Sequence, residues 1–221
     1  GSMLYVGGRF ERQLRELGIR TIGDLARSDE SFLRQKFGIR GESAWHCANG
    51  DEHEPVRPYH EHRESKSIGN SITFRRDLLG KRDIQLGFTA LAESVSERMR
   101  RHGVHCRTVQ IQIRDPAFHT ISRQVTLERS VSLSRELTAT AMALAEHCWD
   151  FSKPVRLLAL TAAQLIPIEQ DAEQLTLFPD AAAPAREKQG RLEDTLSSIR
   201  GKYGKGSIQL GSFLGNDLGL G

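Results

Sequence analysis

The most constraining feature of this sequence is the order in which hydrophobic periods follow one another between residues 66 and 168. Residues 67–75, SIGNSITFR, alternate between apolar and polar side chains, which is typical of a half-buried strand. A stripe of apolar residues at helical spacing follows: Ile84, Phe88, Leu91, Val95 and Met99. Two more alternating segments, TVQIQIR and TISRQVTLE, are joined by a short turn containing Asp115 and Pro116.

A second helical stripe and a last apolar strand complete this region. The stripe consists of Leu137, Ala141, Leu144, Cys148 and Phe151, and the strand reads VRLLALTA. The order β-α-β-β-α-β predicts an α+β domain in which a four-stranded sheet is covered by two helices on one face. The other face is then expected to be open to solvent.

The residues expected on the open face are hydroxyls, amides and guanidinium groups. They are Ser71, Thr73 and Arg75, then Thr108, Gln110, Gln112 and Arg114, then Ser122, Gln124 and Thr126. Such a surface offers donors to phosphate oxygens without reading any base, and Arg76, Arg107, Arg123 and Arg129 near the strand ends would add charge. An equally simple interpretation is that polar residues occupy the wet face of an antiparallel sheet.

The first fifty residues predict short helices joined by glycine turns, with Thr21 and Ser28 as candidate N-caps. Gly7, Gly8 and Arg9 in the segment VGGRF could present backbone N–H groups and charge to an anion at a helix N-terminus. A glycine turn that is needed only for packing between helices explains the same residues equally well. Residues 1–3 have the look of an expression scar, and the polar, proline-containing residues 51–65 are typical of a linker.

The last segment, residues 169–221, is expected to be a flexible tail with one short helix from Glu187 to Tyr203 and a loose, glycine-rich end. Its unusual feature is the stretch QLTLFPD, residues 174–180, which sets three large apolar side chains among acidic, alanine and proline residues. An edge strand packed back on the domain would explain them, and so would an exposed peptide that binds another protein.

Several classes of protein find no support in the sequence. It shows no phosphate-binding loop, nucleophile elbow, zinc-protease motif or paired carboxylates, so we expect no catalytic residue and no metal site. The histidines His53, His60 and His62 lie in the predicted linker, where a solvated segment is the simpler interpretation. Three cysteines without metal-ligand spacing, no long apolar run and no secretory signal predict a cytoplasmic protein that is not in a membrane.

Several phrases, in their order along the chain, resemble the C-terminal part of a bacterial Y-family (DinB/UmuC-like, ImpB/MucB/SamB) translesion DNA polymerase. They are LGIRTIGDLA, LRQKFGIRGESAWHCANG, ESKSIGNSITF, VRLLALTAAQL and QLTLF, followed by REKQGRLEDTLSSIRGKYG. The resemblance implies a helix-hairpin-helix thumb portion in residues 4–50 and the little-finger DNA-binding domain in residues 66–168.

The resemblance also implies which residues contact the backbone of primer-template duplex DNA. In the thumb they are Gly7, Gly8 and Arg9, although VGGRF departs from the usual hairpin text. In the little finger they are Ser67, Ile68, Ser71, Thr73, Arg75, Arg107, Ser122 and Arg123. The family's fingers and palm, with the acids that bind Mg²⁺, have no counterpart here, so we expect this chain to be inactive alone and to hold no cofactor itself.

The tail segment resembles the pentapeptide with which bacterial polymerases bind the ring-shaped sliding clamp. Leu177 and Phe178 would fill an apolar pocket, Leu175 would support them and Gln174 would supply a polar contact. The sequence thus predicts a monomeric, DNA-binding and clamp-binding part of an error-prone DNA-repair polymerase.

Two other functions remain open at this point. An RNA-binding module on a ferredoxin-like sheet predicts aromatic stacking residues on the central strands, and TVQIQIR and TISRQVTLE contain none. A pure interaction scaffold predicts no nucleic-acid binding at all.

Overall fold

The computed structural model describes Met3, residues 6–51, Pro58, residues 65–171 and residues 183–219. The chain divides into two compact units, Gly1–His62 and Arg63–Gly221. Of the predicted linker, only Asp51, Pro58 and Ser65 are among the described residues, so its boundaries remain a prediction. None of the helices in the described part of the chain is long and apolar enough to cross a bilayer.

The described part of the first unit consists of four short helices around a small core. The helices are α1 (Gly8–Glu16), α2 (Ile22–Ala26), α3 (Glu30–Phe37) and α4 (Ile39–Asn49). The buried residues are Phe10, Leu14, Leu25, Leu33 and Ala44. The rings of Phe10 and Phe37 meet edge to face with centroids 5.1 Å apart, an arrangement that aromatic quadrupoles favour.

Local signals decide where these helices begin. The Thr21 hydroxyl accepts from the Asp24 backbone N–H at 3.0 Å, and the Asp24 carboxylate accepts in return from the Thr21 backbone N–H at 2.9 Å. This capping box confirms Thr21 as a cap. Ser28 is not one, because Asp29 caps α3 through the Phe32 N–H while the Ser28 hydroxyl donates to the carbonyl of Asp24.

The second unit is built on a four-stranded antiparallel sheet, and its element order confirms the predicted β-α-β-β-α-β. The elements are β1 (Ser67–Leu78), α5 (Gly80–Arg101), β2 (Val104–Arg114), β3 (Thr120–Val131), α6 (Ser134–Cys148) and β4 (Val155–Pro167). The strand order across the sheet is β1-β4-β2-β3, so β4 and β2 are central and β1 and β3 form the edges.

Alternation along the strands divides the sheet into an apolar face and a polar one. On the apolar face, cross-strand rows such as Ile68, Ala162 and Val109 pack beneath α5 and α6. All five residues of the predicted α5 stripe are 0% exposed, and the α6 stripe buries Leu137 and Ala141 in the same core. Both helices therefore lie on one face, which confirms the predicted fold class.

Close approach of α5 to the sheet depends on a residue without a side chain. A Cβ atom added at Gly87 would lie 2.8 Å from Leu158 Cδ1 and 2.8 Å from Phe74 Cζ. Both neighbours are buried in the core, so neither has free space into which to move.

A third helix, α7 (Ala183–Tyr203), packs on α5 and α6 through a buried carboxylate. Glu193 accepts hydrogen bonds from Ser96 and Arg100 of α5 and from the hydroxyl and backbone N–H of Ser134 at the start of α6. The helix is longer than predicted, and two of its large apolar side chains are exposed, Leu192 by 51% and Tyr203 by 67%. A buried acid supplies the attachment instead.

The glycine-rich end is packed in the structure, contrary to the expectation that it is loose. Phe213 and Leu218 join the main core, where they are 9% and 2% exposed. Arg200 ties α7 to this segment, because its Nε donates to the carbonyl of Ile208 at 3.1 Å. Apolar residues interspersed with glycine and polar residues are therefore sufficient to attach residues 208–218.

Asp171, the residue after a short 3-10 helix (Ile168–Gln170), is also attached to the domain. Its carboxylate accepts from the Ser130 hydroxyl and contacts the ring of His105. Burial raises the pKa of Asp171, but these two partners outweigh burial and hold the pKa below its usual range. Both sides of residues 172–182 are thus anchored to the second unit.

Arg76 joins the end of β1, the start of α5 and the C-terminal segment. Its Nη1 lies 2.6 Å from Asp83 Oδ2, and its Nε lies 2.6 Å from Asp217 Oδ2. Asp83 also accepts from the Leu79 N–H at the start of α5. Burial raises the pKa of Asp83, but the hydrogen bonds from Arg76 and Leu79 outweigh it, and the net pKa is lowered.

We predict that Gly87→Ala destabilises the protein although alanine is the better helix former. The added methyl group must displace buried side chains, which costs about 1–3 kcal/mol of unfolding free energy. The matched control is Gly201→Ala in α7, where a Cβ would meet nothing within 4 Å and the gain in helix propensity should dominate. Chemical denaturation of both variants measures the two effects, and equal stabilities would show that Gly87 is not a packing requirement.

We also predict that Asp83→Asn destabilises the protein in a pH-dependent way. Because the folded pKa is below the unfolded one, near 4, the ionised carboxylate contributes stability above that pH and loses it as pH falls through the folded pKa. The loss should be about 1–2 kcal/mol at pH 7 and shrink at acid pH. Urea denaturation across pH checks this against Asp194→Asn, whose side chain is 70% exposed. A deficit independent of pH would contradict the role given to ionisation.

Candidate nucleic-acid interface

The face of the sheet opposite α5 and α6 carries four rows of aligned side chains. From β1 across to β3 the rows are Ser67, Ala163, Thr108 and Thr126; Gly69, Thr161, Gln110 and Gln124; Ser71, Ala159, Gln112 and Ser122; and Thr73, Leu157, Arg114 and Thr120. We call this surface the open face. It contains no aromatic residue, and most of its positions offer a hydroxyl or an amide.

Several side chains of the open face are already oriented by one another. Gln110 Nε2 donates to the Ser122 hydroxyl at 2.8 Å, and Arg114 Nε donates to the Thr120 hydroxyl at 2.8 Å. Thr108 is only 4% exposed. Its hydroxyl is hydrogen-bonded to the Thr126 hydroxyl on one side and to the Gln164 amide on the other. The expectation that Thr108 is a solvent-exposed donor is therefore wrong.

Most of the residues predicted to contact DNA in the second unit lie on or beside the open face. Ser67, Ser71, Thr73 and Arg75 are exposed along β1, and Ser122 is exposed on β3. Arg107 is exposed where β2 changes register, beside the central rows. The structure thus brings six of the eight predicted residues to one surface.

Ile68 and Arg123 belong to the other face. Ile68 is 2% exposed in the core, opposite Ala162, so its side chain is not available to a ligand on the open face. Arg123 pairs with Ile111, a core residue, and therefore lies on the helix-covered side at the edge strand. The alternation of side chains along β3 already predicts this position for Arg123, since Ser122 and Gln124 flank it and both belong to the open face.

Residues that were not predicted shape the open face along β1. A Cβ at Gly69 would lie 2.5 Å from the Thr161 hydroxyl, so glycine is required for that hydroxyl to fit. The Asn70 amide is turned towards α5, where it donates to Ser94 at 3.1 Å while accepting from the Ser71 N–H. The dipeptide Gly69–Asn70 inside an otherwise alternating strand is the sequence feature that could have indicated this irregularity.

Charge at the end of β1 is shared with the C-terminal segment. The stem of Arg75 packs against Gly219, where a Cβ would lie 3.0 Å from Arg75 Nε. The neighbouring Arg76 holds Asp217 as described above. This segment therefore touches the same strand that carries the predicted phosphate contacts.

In the first unit, Gly7, Gly8 and Arg9 are exposed at the start of α1. Gly7 is the N-cap, and no atom lies within 4 Å of a Cβ built at Gly7 or Gly8. Packing within this unit therefore does not require glycine at either position. The predicted clamp-binding residues Gln174, Leu175, Leu177 and Phe178 lie outside the described residues.

Among the described residues, one group has side chains placed closely enough to ligate a metal ion. It consists of Glu30, Glu42 and His46. Glu42 is 3.1 Å from Arg34, and the two ring nitrogens of His46 are 3.5 Å from Glu30 and 3.7 Å from Asp51. Arg34 and Asp51 are thus direct neighbours of this group, whose side chains are partly exposed.

A cavity of about 550 Å³ lies on the far side of the second unit. Its walls are the outer surfaces of α5 and α6 together with α7, and Arg135 and Met142 are among its lining residues. It is therefore separated from the open face by the helices and the sheet.

Comparison with known proteins identifies the family to which this chain is similar. Residues 65–177 match the model of the impB/mucB/samB family C-terminal domain. The chain is 36% identical over 220 residues to the DNA polymerase IV of Acetivibrio thermocellus, covering 99% of this chain and 54% of that protein. It is 35% identical over 217 residues to the DNA polymerase IV 1 of Bacillus subtilis, covering 97% of this chain and 50% of that protein.

The chain thus spans about half the length of the curated relatives it matches. The family match includes β1, α5, β2, β3, α6 and β4, the elements that create the open face. These findings confirm the resemblance drawn from the sequence. The chain therefore belongs to the impB/mucB/samB family, and it is a C-terminal part of a bacterial Y-family DNA polymerase.

Proposed function

We propose that the second unit grips the sugar-phosphate backbone of duplex DNA with its open face, as part of a lesion-bypass polymerase. The observation that carries this proposal is the set of four cross-strand rows of hydroxyl and amide groups, with Arg75, Arg107 and Arg114 at their margins. Neutral donors on a rigid sheet suit phosphate oxygens, and arginine adds attraction without sequence readout.

A grip of this kind explains how a polymerase could tolerate damaged bases. The open face has few side chains long enough to enter a groove, and Gln110 and Arg114 are already bonded to their neighbours across the sheet. Contacts to phosphate do not test the shape of a base pair. Binding is therefore expected to depend little on base sequence.

Chemistry is assigned to other parts of the family's proteins. The palm acids and the Mg²⁺ ions that they hold have no counterpart in this sequence, so the chain supplies DNA binding and no catalytic residue. Glycines 7 and 8 with Arg9 form a second backbone contact in this proposal, consistent with the open space above both glycines. The proposed setting is DNA repair in the cytoplasm, by a monomer.

We further propose that Gln174, Leu175, Leu177 and Phe178 bind the sliding clamp. The support is the sequence alone: three large apolar residues in a segment bordered by acids and by the residues PDAAAPA. Short peptides of this kind bind by placing a few anchors in preformed pockets.

An RNA-binding function is disfavoured by the chemistry of the open face. RNA-binding sheets of this topology stack bases on aromatic residues of the central strands. The corresponding rows here have threonine, glutamine and arginine on β2. An interaction scaffold predicts no affinity for nucleic acid, and the following titration distinguishes that function from DNA binding.

We predict that the protein binds random-sequence duplex DNA with an affinity that falls steeply as salt rises. Arg75→Gln and Arg107→Gln should each weaken binding and reduce the slope of log affinity against log salt by about 0.9, because each removes one phosphate contact. Arg135→Gln is the matched control, since Arg135 lines the cavity beyond the helices. Fluorescence anisotropy over a salt series measures all four proteins.

Absence of binding at low salt would overturn the proposed function and favour a scaffold. Tighter binding to single-stranded RNA than to duplex DNA would favour the RNA-binding alternative. Equal slopes for Arg75→Gln and Arg135→Gln would place the DNA somewhere other than the open face.

We predict that Phe178→Ala weakens binding to a bacterial sliding clamp by at least tenfold, since loss of a pocket anchor costs about 2 kcal/mol or more. Phe118→Ala is the control, because Phe118 is 74% exposed in the β2–β3 turn and belongs to a different surface feature. Surface plasmon resonance with immobilised clamp compares the variants. If Phe178→Ala binds like the wild type, the segment has another role.

A further inference from the structure

The two central strands change faces at the same point. Cys106 and Val109 both lie in the core although they are three residues apart, so Arg107 and Thr108 both project to the open side. In the neighbouring strand β4, Ala162 and Leu165 face the core, so Ala163 and Gln164 both project to the open side. Arg107 and Gln164 lie between the paired residues Cys106 and Leu165 on one side and Thr108 and Ala163 on the other, and they are not themselves paired in the ladder.

The backbone of Gln164 is strained at this irregularity. Its φ is 51°, in the left-handed region that favours glycine, although it lies within β4 (Val155–Pro167). A glycine at this position would relieve the strain, as glycine does at eight other positions with positive φ in the described chain. Strain that is retained at a non-glycine residue is a recognised sign of a function for its side chain.

The side chain of Gln164 is held with one end turned inward. Its Oε1 accepts from the Thr108 hydroxyl at 2.9 Å. The Thr108 hydroxyl is 3.1 Å from that of Thr126, which must donate because Thr108 has already used its proton. This chain of two threonines fixes the amide oxygen towards the sheet and leaves the NH₂ group directed to solvent. No described group accepts from that NH₂.

A positive charge stands beside this oriented amide. Arg107 is exposed, and its guanidinium is close enough to Asp171 to help lower the pKa of that carboxyl. Asp171 is itself occupied by Ser130 and His105, and its side chain is only 9% exposed. The outer surface at this point therefore presents a neutral amide donor next to a guanidinium.

We propose that Gln164 is a phosphate-binding residue, whose amide donates to a DNA backbone oxygen that Arg107 also contacts. This rests on the proposed function, because it assigns one contact within the DNA grip. The simultaneous change of face in β2 and β4 places both side chains on the open side, and the threonine chain gives the amide the donor orientation that a phosphate oxygen requires. Arg107 contributes electrostatic attraction to the phosphate, and the Gln164 amide contributes a directional hydrogen bond.

The test compares two substitutions that treat the strain differently. Gln164→Gly removes the amide and relieves the strain, whereas Gln164→Ala removes the amide and keeps it. We expect both variants to bind duplex DNA about tenfold more weakly than the wild type, as loss of a hydrogen bond to a charged group implies. The slope of log affinity against log salt should be unchanged, because a neutral donor displaces no counterion, in contrast to Arg107→Gln. Thermal unfolding should rank Gln164→Gly above Gln164→Ala.

The outcomes separate this inference from the function on which it rests. If the wild type binds DNA and Gln164→Gly binds equally well, Gln164 is not a contact and the inference falls alone. If the wild type does not bind, the proposed function fails and the inference with it. If only Gln164→Ala loses affinity, the strained backbone and not the amide is responsible, and the inference also falls.

Discussion

Burial of one face of the sheet beneath α5 and α6 is the constraint on which the rest of the second unit depends. Because Val109, Ile111 and Ile113 must all enter the core, the residues between them must all point the other way. The polar rows of the open face are therefore a consequence of core packing as much as of ligand binding. Gly87 belongs to the same constraint, since it lets α5 approach closely enough to cover Phe74 and Leu158.

Much of this could be predicted from residue patterns because the signals are local. Alternation of apolar and polar residues with a period of two predicts the strands. The spacing of Ile84, Phe88 and Leu91 predicts α5 and its buried side. The change of face at Arg107 and Gln164 could not be predicted, because it depends on contacts between two strands that are distant in sequence. The attachment of α7 was also missed, since a glutamate such as Glu193 is seldom fully buried unless several donors from other elements surround it.

The candidate site divides in the same way. Serines and threonines on β1 could be assigned to a face from alternation alone, and alternation also places Arg123 on the helix-covered side, between Ser122 and Gln124. The sequence could not show which of these donors are already hydrogen-bonded to neighbours within the sheet. Thr108 is occupied, Gln110 is tied to Ser122, and the Gln164 amide is oriented outward, and these differences arise from neighbours across the sheet. Membership of the impB/mucB/samB family gives the open face a setting, while these contacts give it a specific chemistry.

Attachment on both sides of residues 172–182 extends the second unit beyond its sheet. Asp171 is attached through Ser130 and His105, and α7 through Glu193, so the described residues on either side of that segment belong to the same unit as the open face. Loss of the Glu193 carboxylate would leave the donors of Arg100 and Ser134 without their acceptor. The position of α7 on α5 and α6 therefore depends on a single ionisable side chain.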